Sequence, residues 1–295
     1  MEREDSLLKI LEQFIQGKEN NPTVCEDGIF AGKAMAAVID GVTAKGSRLW
    51  KGKTSGRYAM ESILDFLEKH QEKVSKFLCP EDFFCLLNDY LSQRINSCCT
   101  SKSAEKELLP PSLHTVDRPR ASIILYNDVS KEIWSYGDCQ CSINGKVYTH
   151  AKEIDRLNSD LRAFYLEYTL LKTENIEELL GQTSSQDPGR QAILHNLEMQ
   201  MTFENRTGPF GYPVLNGQGI EPALIKVYPV KPGDEVVLAS DGYPVLKETL
   251  ADSEKALQEI LAEDPLCFRS YRSTKGKKPC NVSFDDRTYC RILVY

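Results

Sequence analysis

The sequence predicts an α+β protein: two antiparallel β-sheets packed face to face, with helices on the outside. Strand-like apolar runs come mostly in pairs joined by short turns, and helical periodicity comes in pairs between them. This pattern favours stacked antiparallel sheets over a parallel βαβ fold. The third observation concerns function. Three short acidic words, Ile39-Asp40-Gly41, Ser240-Asp241-Gly242 and Asp285-Asp286-Arg287-Thr288, each lie at the edge of a predicted strand. If the last strand runs antiparallel to the other two, the three carboxylates meet at one sheet rim. Gathered carboxylates repel unless a cation neutralises them, and hard oxygen ligands suit magnesium or manganese.

In chain order, Leu7, Leu8, Ile10, Leu11, Phe14 and Ile15 have helical spacing, so residues 1–17 are expected to hold an N-terminal helix. Glu26 to Gly41 reads as a hairpin about Ala31-Gly32-Lys33, which returns Glu26 and Asp27 to Asp40. A basic loop with Lys45, Arg48, Lys51 and Lys53 follows. Helices are expected over Ser55–Gln71 and Pro80–Ile95, the second opened by a proline suited to a first helical turn. A polar loop over 100–119 leads into a hairpin of Ala121–Asn127 and Glu132–Gly137. Residues 153–203 form a helical elaboration, broken at Thr183–Gly189. It is expected to cover the sheet, with Arg156, Tyr165, Tyr168 and Arg190 as candidates for a substrate groove. The glycines of 208–219 lack phosphate-loop spacing, which leaves an irregular loop. Leu224–Val230 and Glu235–Ser240 read as a strand pair about Lys231-Pro232-Gly233. A helix at Ser253–Ala262, a basic loop with Lys275, Lys277 and Lys278, and a last strand from Thr288 complete the chain.

Composition narrows the function. The 295 residues carry a formal charge of −7, which argues against nucleic-acid binding. No apolar run reaches about 18 residues, so no membrane span is expected. The acidic N-terminus lacks a signal-peptide core, and the ten cysteines are therefore expected to be reduced thiols in the cytoplasm. Neither Cys139-x-Cys141 nor Cys98-Cys99 has a partner motif that would complete a zinc site.

Five words in order, Glu26-Asp27, Asp40-Gly41, Gly137-Asp138, Ser240-Asp241-Gly242 and Asp285-Asp286-Arg287-Thr288, resemble those of the metal-dependent Ser/Thr protein phosphatases of the 2C type, in a divergent, bacterial-like form. The resemblance spans about residues 20–295 and implies a single phosphatase domain over 1–295. It implies two Mg²⁺ or Mn²⁺ ions, bridged by Asp40, completed by Asp241 and Asp285, with the Gly41 carbonyl as a ligand and Glu26 and Asp27 holding metal-bound waters. It also implies hydrolysis of phosphoserine or phosphothreonine in a phosphoprotein substrate by in-line attack of metal-activated hydroxide. On this reading Gly137-Asp138 shapes a turn and stays outside the site.

The chain departs from the family in two places. The arginine expected just before the first acid pair is absent from Asn20–Cys25, and the histidine expected after Asp-Gly is Val42. The basic loop after Gly41 could supply a substitute, with Arg48 the candidate for the substrate phosphate because a guanidinium grips phosphate with two hydrogen bonds. Two other readings remain open: a catalytically silent module that binds a phosphoprotein or partner, and a phosphatase for a small metabolite. Of the four histidines, His150 is the one nearest in character to a site residue.

Overall fold

The computed structural model describes residues 8–74, 79–99, 116–173 and 187–295. Residues 100–115 of the expected polar loop and 183–186 of the expected helix break lie outside these ranges. Ten strands are described: β1 (Lys9–Gln16), β2 (Asp27–Ala31), β3 (Met35–Gly41), β4 (Ala121–Asn127), β5 (Glu132–Tyr136), β6 (Gln140–Ile143), β7 (Lys146–Tyr148), β8 (Lys226–Pro229), β9 (Glu235–Ala239) and β10 (Arg287–Leu293). The helices are α1 (Ser55–Val74), α2 (Pro80–Cys99), α3 (Glu153–Thr173), α4 (Pro188–Met199) and α5 (Leu250–Glu263).

The strands form two five-stranded sheets, β1-β10-β9-β6-β7 and β2-β3-β4-β5-β8, with every pairing antiparallel. Alternation along each strand sorts side chains between two cores. Val38, Ile124, Val236, Leu238, Cys290 and Ile292 fill the space between the sheets. Ala37, Ile39, Ile123, Leu125 and Trp134 face the other way, onto Ile63, Phe66, Phe83 and Leu87 of α1 and α2. The expected architecture of stacked antiparallel sheets with outer helices therefore stands.

Three local expectations need correction. The N-terminal segment is not a helix over residues 8–16 but the edge strand β1, paired with β10. Its register shifts between Ile10 and Glu12, a β-bulge. Leu8 and Ile10 pack into the inter-sheet core, whereas Phe14 packs on the opposite face beside Tyr289. A bulge switches the face on which side chains point, so apolar residues at 7, 8, 10, 11, 14 and 15 imitate a helical period.

The second correction concerns β8 and β9, which exist but do not pair. β8 joins β5 in one sheet and β9 lies between β10 and β6 in the other, so residues 230–234 carry the chain from sheet to sheet. The third is the hairpin β6–β7, which sequence reading passed over. Its turn is Asn144-Gly145, both at positive φ (48° and 80°), the pair best suited to a two-residue hairpin turn.

Helices α3 and α4 pack on each other and make few contacts with either sheet. They sit at one end of the sandwich rather than on a sheet face, so they cover the strand ends where the acids lie. α4 starts sharply: Asp187 caps it by accepting from the Arg190 N–H at 2.9 Å, and Pro188 follows.

Candidate metal centre

The acids come together across both sheets, not along one rim. β2 and β3 pair so that Asp27 lies opposite Asp40. In the facing sheet, Ser240 and Thr288 are neighbours: the Ser240 N–H donates to the Thr288 carbonyl at 3.1 Å, and Ser240 Oγ accepts from the Thr288 N–H at 2.9 Å. That ladder brings Asp241, at the end of β9, and Asp285, at the approach to β10, to the wall of one cavity. Asp285 is paired with Lys18 and Lys275, however, and is not among the carboxylates close enough together to share a cation. Thr288 Oγ1 donates to Asp27 Oδ2 at 2.9 Å and ties the sheets together at the site.

The glycines after Asp40 and Asp241 are steric requirements. A Cβ on Gly41 would lie 2.4 Å from the Gly56 carbonyl oxygen, and one on Gly242 would lie 2.0 Å from the Asp286 carbonyl oxygen. Only glycine lets the backbone approach this closely. Asp286 is itself structural. It accepts from the Lys18 and Glu26 N–H groups at 2.7 and 2.9 Å and anchors the first acid strand to the last.

Asp138, read from sequence as a turn residue, lies with Asp40 and Asp241 in the structure. Carboxylate oxygens of Asp40, Asp138 and Asp241 all lie within 4.8 Å of one another, close enough to share a cation. The Gly-Asp word at the end of a hairpin strand was the available signal, but a lone Gly-Asp is also an ordinary turn. Asp138 accepts from Ser122 Oγ at 2.5 Å and pairs with Lys152 at 2.5 Å. Glu26 accepts from Thr54 Oγ1 at 2.6 Å.

The electrostatics of the cluster are uneven. Burial and the neighbouring Asp286 push the Asp27 carboxyl well above its usual range. Asp40 is raised in the same way, by burial and then by Asp27, Asp241 and Asp138. Desolvation, Asp138 and Asp285 push Asp241 up to about 7. Asp138 and Asp285 go the other way: burial disfavours their charge, but Lys152 for the first, and Lys275 with Lys18 for the second, outweigh it. Among the described residues Asp27, Asp40 and Asp241 have no ion-pair partner. Enclosed carboxylates that resist ionisation for want of a positive charge form a donor set that fits a hard divalent cation.

The acids open onto a cavity of about 420 Å³. Lys45, Lys152, Arg156, Arg190 and Lys275 line it together with Asp40, Asp138, Asp241 and Asp285. Of the basic loop after Gly41, Lys45 faces this space, and its ammonium donates to the Thr43 carbonyl at 2.8 Å. Arg48 stacks over the Trp50 ring at 4.3 Å and is not part of the cavity wall. Arg156 and Arg190 line the cavity as the groove expectation had it, whereas Tyr165 and Tyr168 lie elsewhere on α3, exposed. Lys275 pairs with Asp285. Lys18 supplies a cation before the first acid pair, further back than the sequence pattern placed it. It is held by Glu26, Asp285 and Asp286 at 3.4, 3.6 and 3.2 Å.

His150 borders the cavity, but both ring nitrogens are engaged, by the Cys139 carbonyl at 2.6 Å and Tyr228 Oη at 2.7 Å. Burial also lowers its affinity for a proton. It is a wall residue.

No protein-family model and no curated protein matches the chain. Solved structures do. The Mycobacterium tuberculosis serine/threonine phosphatase PstP/Ppp aligns over 97% of this chain and 100% of its own, at 13% identity and a TM-score of 0.48. A serine/threonine phosphatase of S. agalactiae aligns over 98% and 100%, at 14% and 0.48. The Staphylococcus aureus phosphatase Stp1 aligns over 100% and 99%, at 14% and 0.48. Likeness at that level concerns the outline of the fold, and what the chain does is read from its own side chains.

Proposed function

We propose that the chain is a single metal-dependent phosphatase domain that hydrolyses phosphomonoesters, with phosphoserine or phosphothreonine in proteins as the substrate class. The observation that carries this reading is the juxtaposition of two opposite charge sets in one cavity. Asp40, Asp138 and Asp241 converge within 4.8 Å, and Lys45, Arg190 and Lys275 line the same space. A site built only to repel anions would lack the cations, and a site built only to bind anions would lack the acids.

Asp40, Asp241 and Asp285 would hold two Mg²⁺ or Mn²⁺ ions, joined by the Gly41 carbonyl and, through water, by Glu26 and Asp27; Asp138, whose carboxylate lies with those of Asp40 and Asp241, would be a further ligand. The ions supply an activated water and charge on the phosphoryl oxygens when bound. The protein's own part is positioning. Thr288, Thr54 and Ser122 fix the carboxylates of Asp27, Glu26 and Asp138 by hydrogen bonds at 2.9, 2.6 and 2.5 Å. Lys45 and Arg190 have no carboxylate partner among the described residues, so they are available to a phosphate entering the cavity. They take the part assigned above to the missing arginine. No nucleophilic side chain is required: Cys139, next to Asp138, is held as an inert thiol by burial and the charge of Asp40, and Cys25, next to Glu26, by burial and the charge of Asp27.

A cytoplasmic setting fits the cysteines, since those whose side chains are described are all unpaired. No helix among the described residues is long and apolar enough to cross a membrane. The test is phosphate release from phosphoserine, phosphothreonine and phosphotyrosine peptides and from small phosphomonoesters, each with Mn²⁺ and with EDTA. Metal-dependent release, highest for phosphoserine or phosphothreonine peptides, supports the reading. Release that survives EDTA, or no release with any substrate, rejects it.

A further inference from the structure

A second cavity, of about 240 Å³, adjoins the first and shares Thr43, Arg190, Lys275 and Phe284 with it. Its wall contains Lys18, Arg190, Lys275, Lys277 and Lys278 against two carboxylates, Glu19 and Asp187. Several of these charges are already used. Lys18 and Lys275 pair with Asp285, and Asp187 pairs with the fully buried Arg162 at 2.6 Å. What remains is Arg190, which still feels the charge of Asp187, with Lys277, Lys278 and the carboxylate of Glu19, and among the described residues none of these three cations forms an ion pair. Among the described residues the Arg190 guanidinium donates to the Thr274 carbonyl, at 2.8 Å. Burial makes its charge less favourable than usual, with Asp187 opposing and Arg162 adding to the effect.

The wall is built rather than loose. Arg162 donates to the carbonyls of Leu266, Cys267 and Ser273 at 2.8, 3.0 and 2.9 Å, which fixes the loop that presents the lysines. The Lys277 N–H donates to the Pro265 carbonyl at 3.0 Å. A fixed surplus of positive charge beside a phosphate-handling cavity is relieved by a second anion on the same ligand.

We propose that this second cavity is an accessory anion site that receives an acidic or phosphorylated side chain flanking the phosphoresidue of the substrate peptide. The proposal rests on the phosphatase reading for the placement of the first phosphate. Arg190 belongs to both walls and links the two sites; Lys277 and Lys278 belong to the accessory site alone.

The experiment uses three peptides with one phosphoserine in common, flanked by alanines, by glutamates, or by a second phosphoserine. kcat/KM is measured for each on the manganese-loaded wild type and on the Lys277→Ala/Lys278→Ala double variant. The wild type is expected to prefer the anionic peptides over the alanine peptide by about fivefold to tenfold, through KM, as two part-screened charge contacts allow. The double variant is expected to lose that preference. Because the readout is a ratio between peptides, a general loss of activity cancels. The glutamate and phosphoserine arms separate a carboxylate site from a phosphate site. Equal kcat/KM for all three peptides on the wild type, or an unchanged preference in the double variant, overturns the proposal. If none is turned over, the phosphatase reading has failed separately. Fluorescence anisotropy of the same labelled peptides then decides the accessory site: tighter binding of the anionic peptides that the double variant loses supports it, and equal binding overturns it.

Discussion

Lys45 is pulled down to about 7 by burial and then by the neighbouring charges of Arg190 and Lys275. A lowered lysine is charged below that value and neutral above it. If it grips the substrate phosphate, KM should rise as pH passes upward through about 7 to 8, and Lys45→Met should remove that limb of the profile. At about pH 6.5 the variant should raise KM roughly tenfold, the effect of one charged hydrogen bond. Arg48→Ala, which loses a stack on Trp50 outside the cavity wall, should stay within about twofold of wild type. Equal effects of the two substitutions would remove Lys45 from the phosphate site. At this scale the sequence revealed the acids that end or open strands, because an acid after an apolar run is conspicuous. It did not reveal Asp138, whose word is also that of an ordinary turn. Nor could it reveal the cations that hold the acids: Lys18 is 268 positions from Asp286, and nothing local in either stretch announces the pair.

The two strands that end in an acid, β3 and β9, each run into a backbone crossing that admits only glycine. Gly242→Ala would press a methyl group to 2.0 Å from the Asp286 carbonyl oxygen, so the chain after β9 must move. Urea denaturation should show a loss of about 2–3 kcal/mol, and Mn²⁺ affinity should fall because Asp241 moves with its neighbour. A stable variant with wild-type affinity would mean that the crossing is slack. The elements themselves were legible where periodicity was uninterrupted: α1, α2, α5 and the hairpins β2–β3 and β4–β5 all lie where apolar spacing put them. β1 was misread because its bulge switches faces in mid-strand. The pairing of β8 with β9 was misread because a short Pro-Gly connection resembles a hairpin turn yet here passes between sheets.

For the molecule as a whole, the two sheets place like charges at their common end, and metal-free stability should record it. Asp27 and Asp40 are raised above the free carboxylate value of 3.8, and Asp241 to about 7. A group raised in the folded state favours folding at low pH, and that contribution is lost as pH rises through its folded value. In EDTA the melting temperature should therefore fall between about pH 5 and 7, with His150, whose proton affinity is lowered, opposing the trend as a single group. Asp138 and Asp285, which are lowered, act only near and below about pH 4. Mn²⁺ binds the folded state, so it should reverse the fall and raise the melting temperature most at about pH 7 and above. A metal-free melting temperature that climbs from pH 5 to 7 would mean that the acids are neutralised from within the protein. The fold class was readable from strand pairing alone. The reach of α3 and α4 over the acid end was not, because helical periodicity says which face is apolar and not which part of the sandwich it covers.

The central claim is that these acids hold the cations on which catalysis depends, and calorimetric titration with Mn²⁺ tests it most directly. The wild type should bind two ions per chain, and Asp241→Asn should abolish or greatly weaken that binding while retaining a cooperative thermal transition. Unchanged Mn²⁺ affinity in the folded variant, or no binding by the wild type, would contradict it.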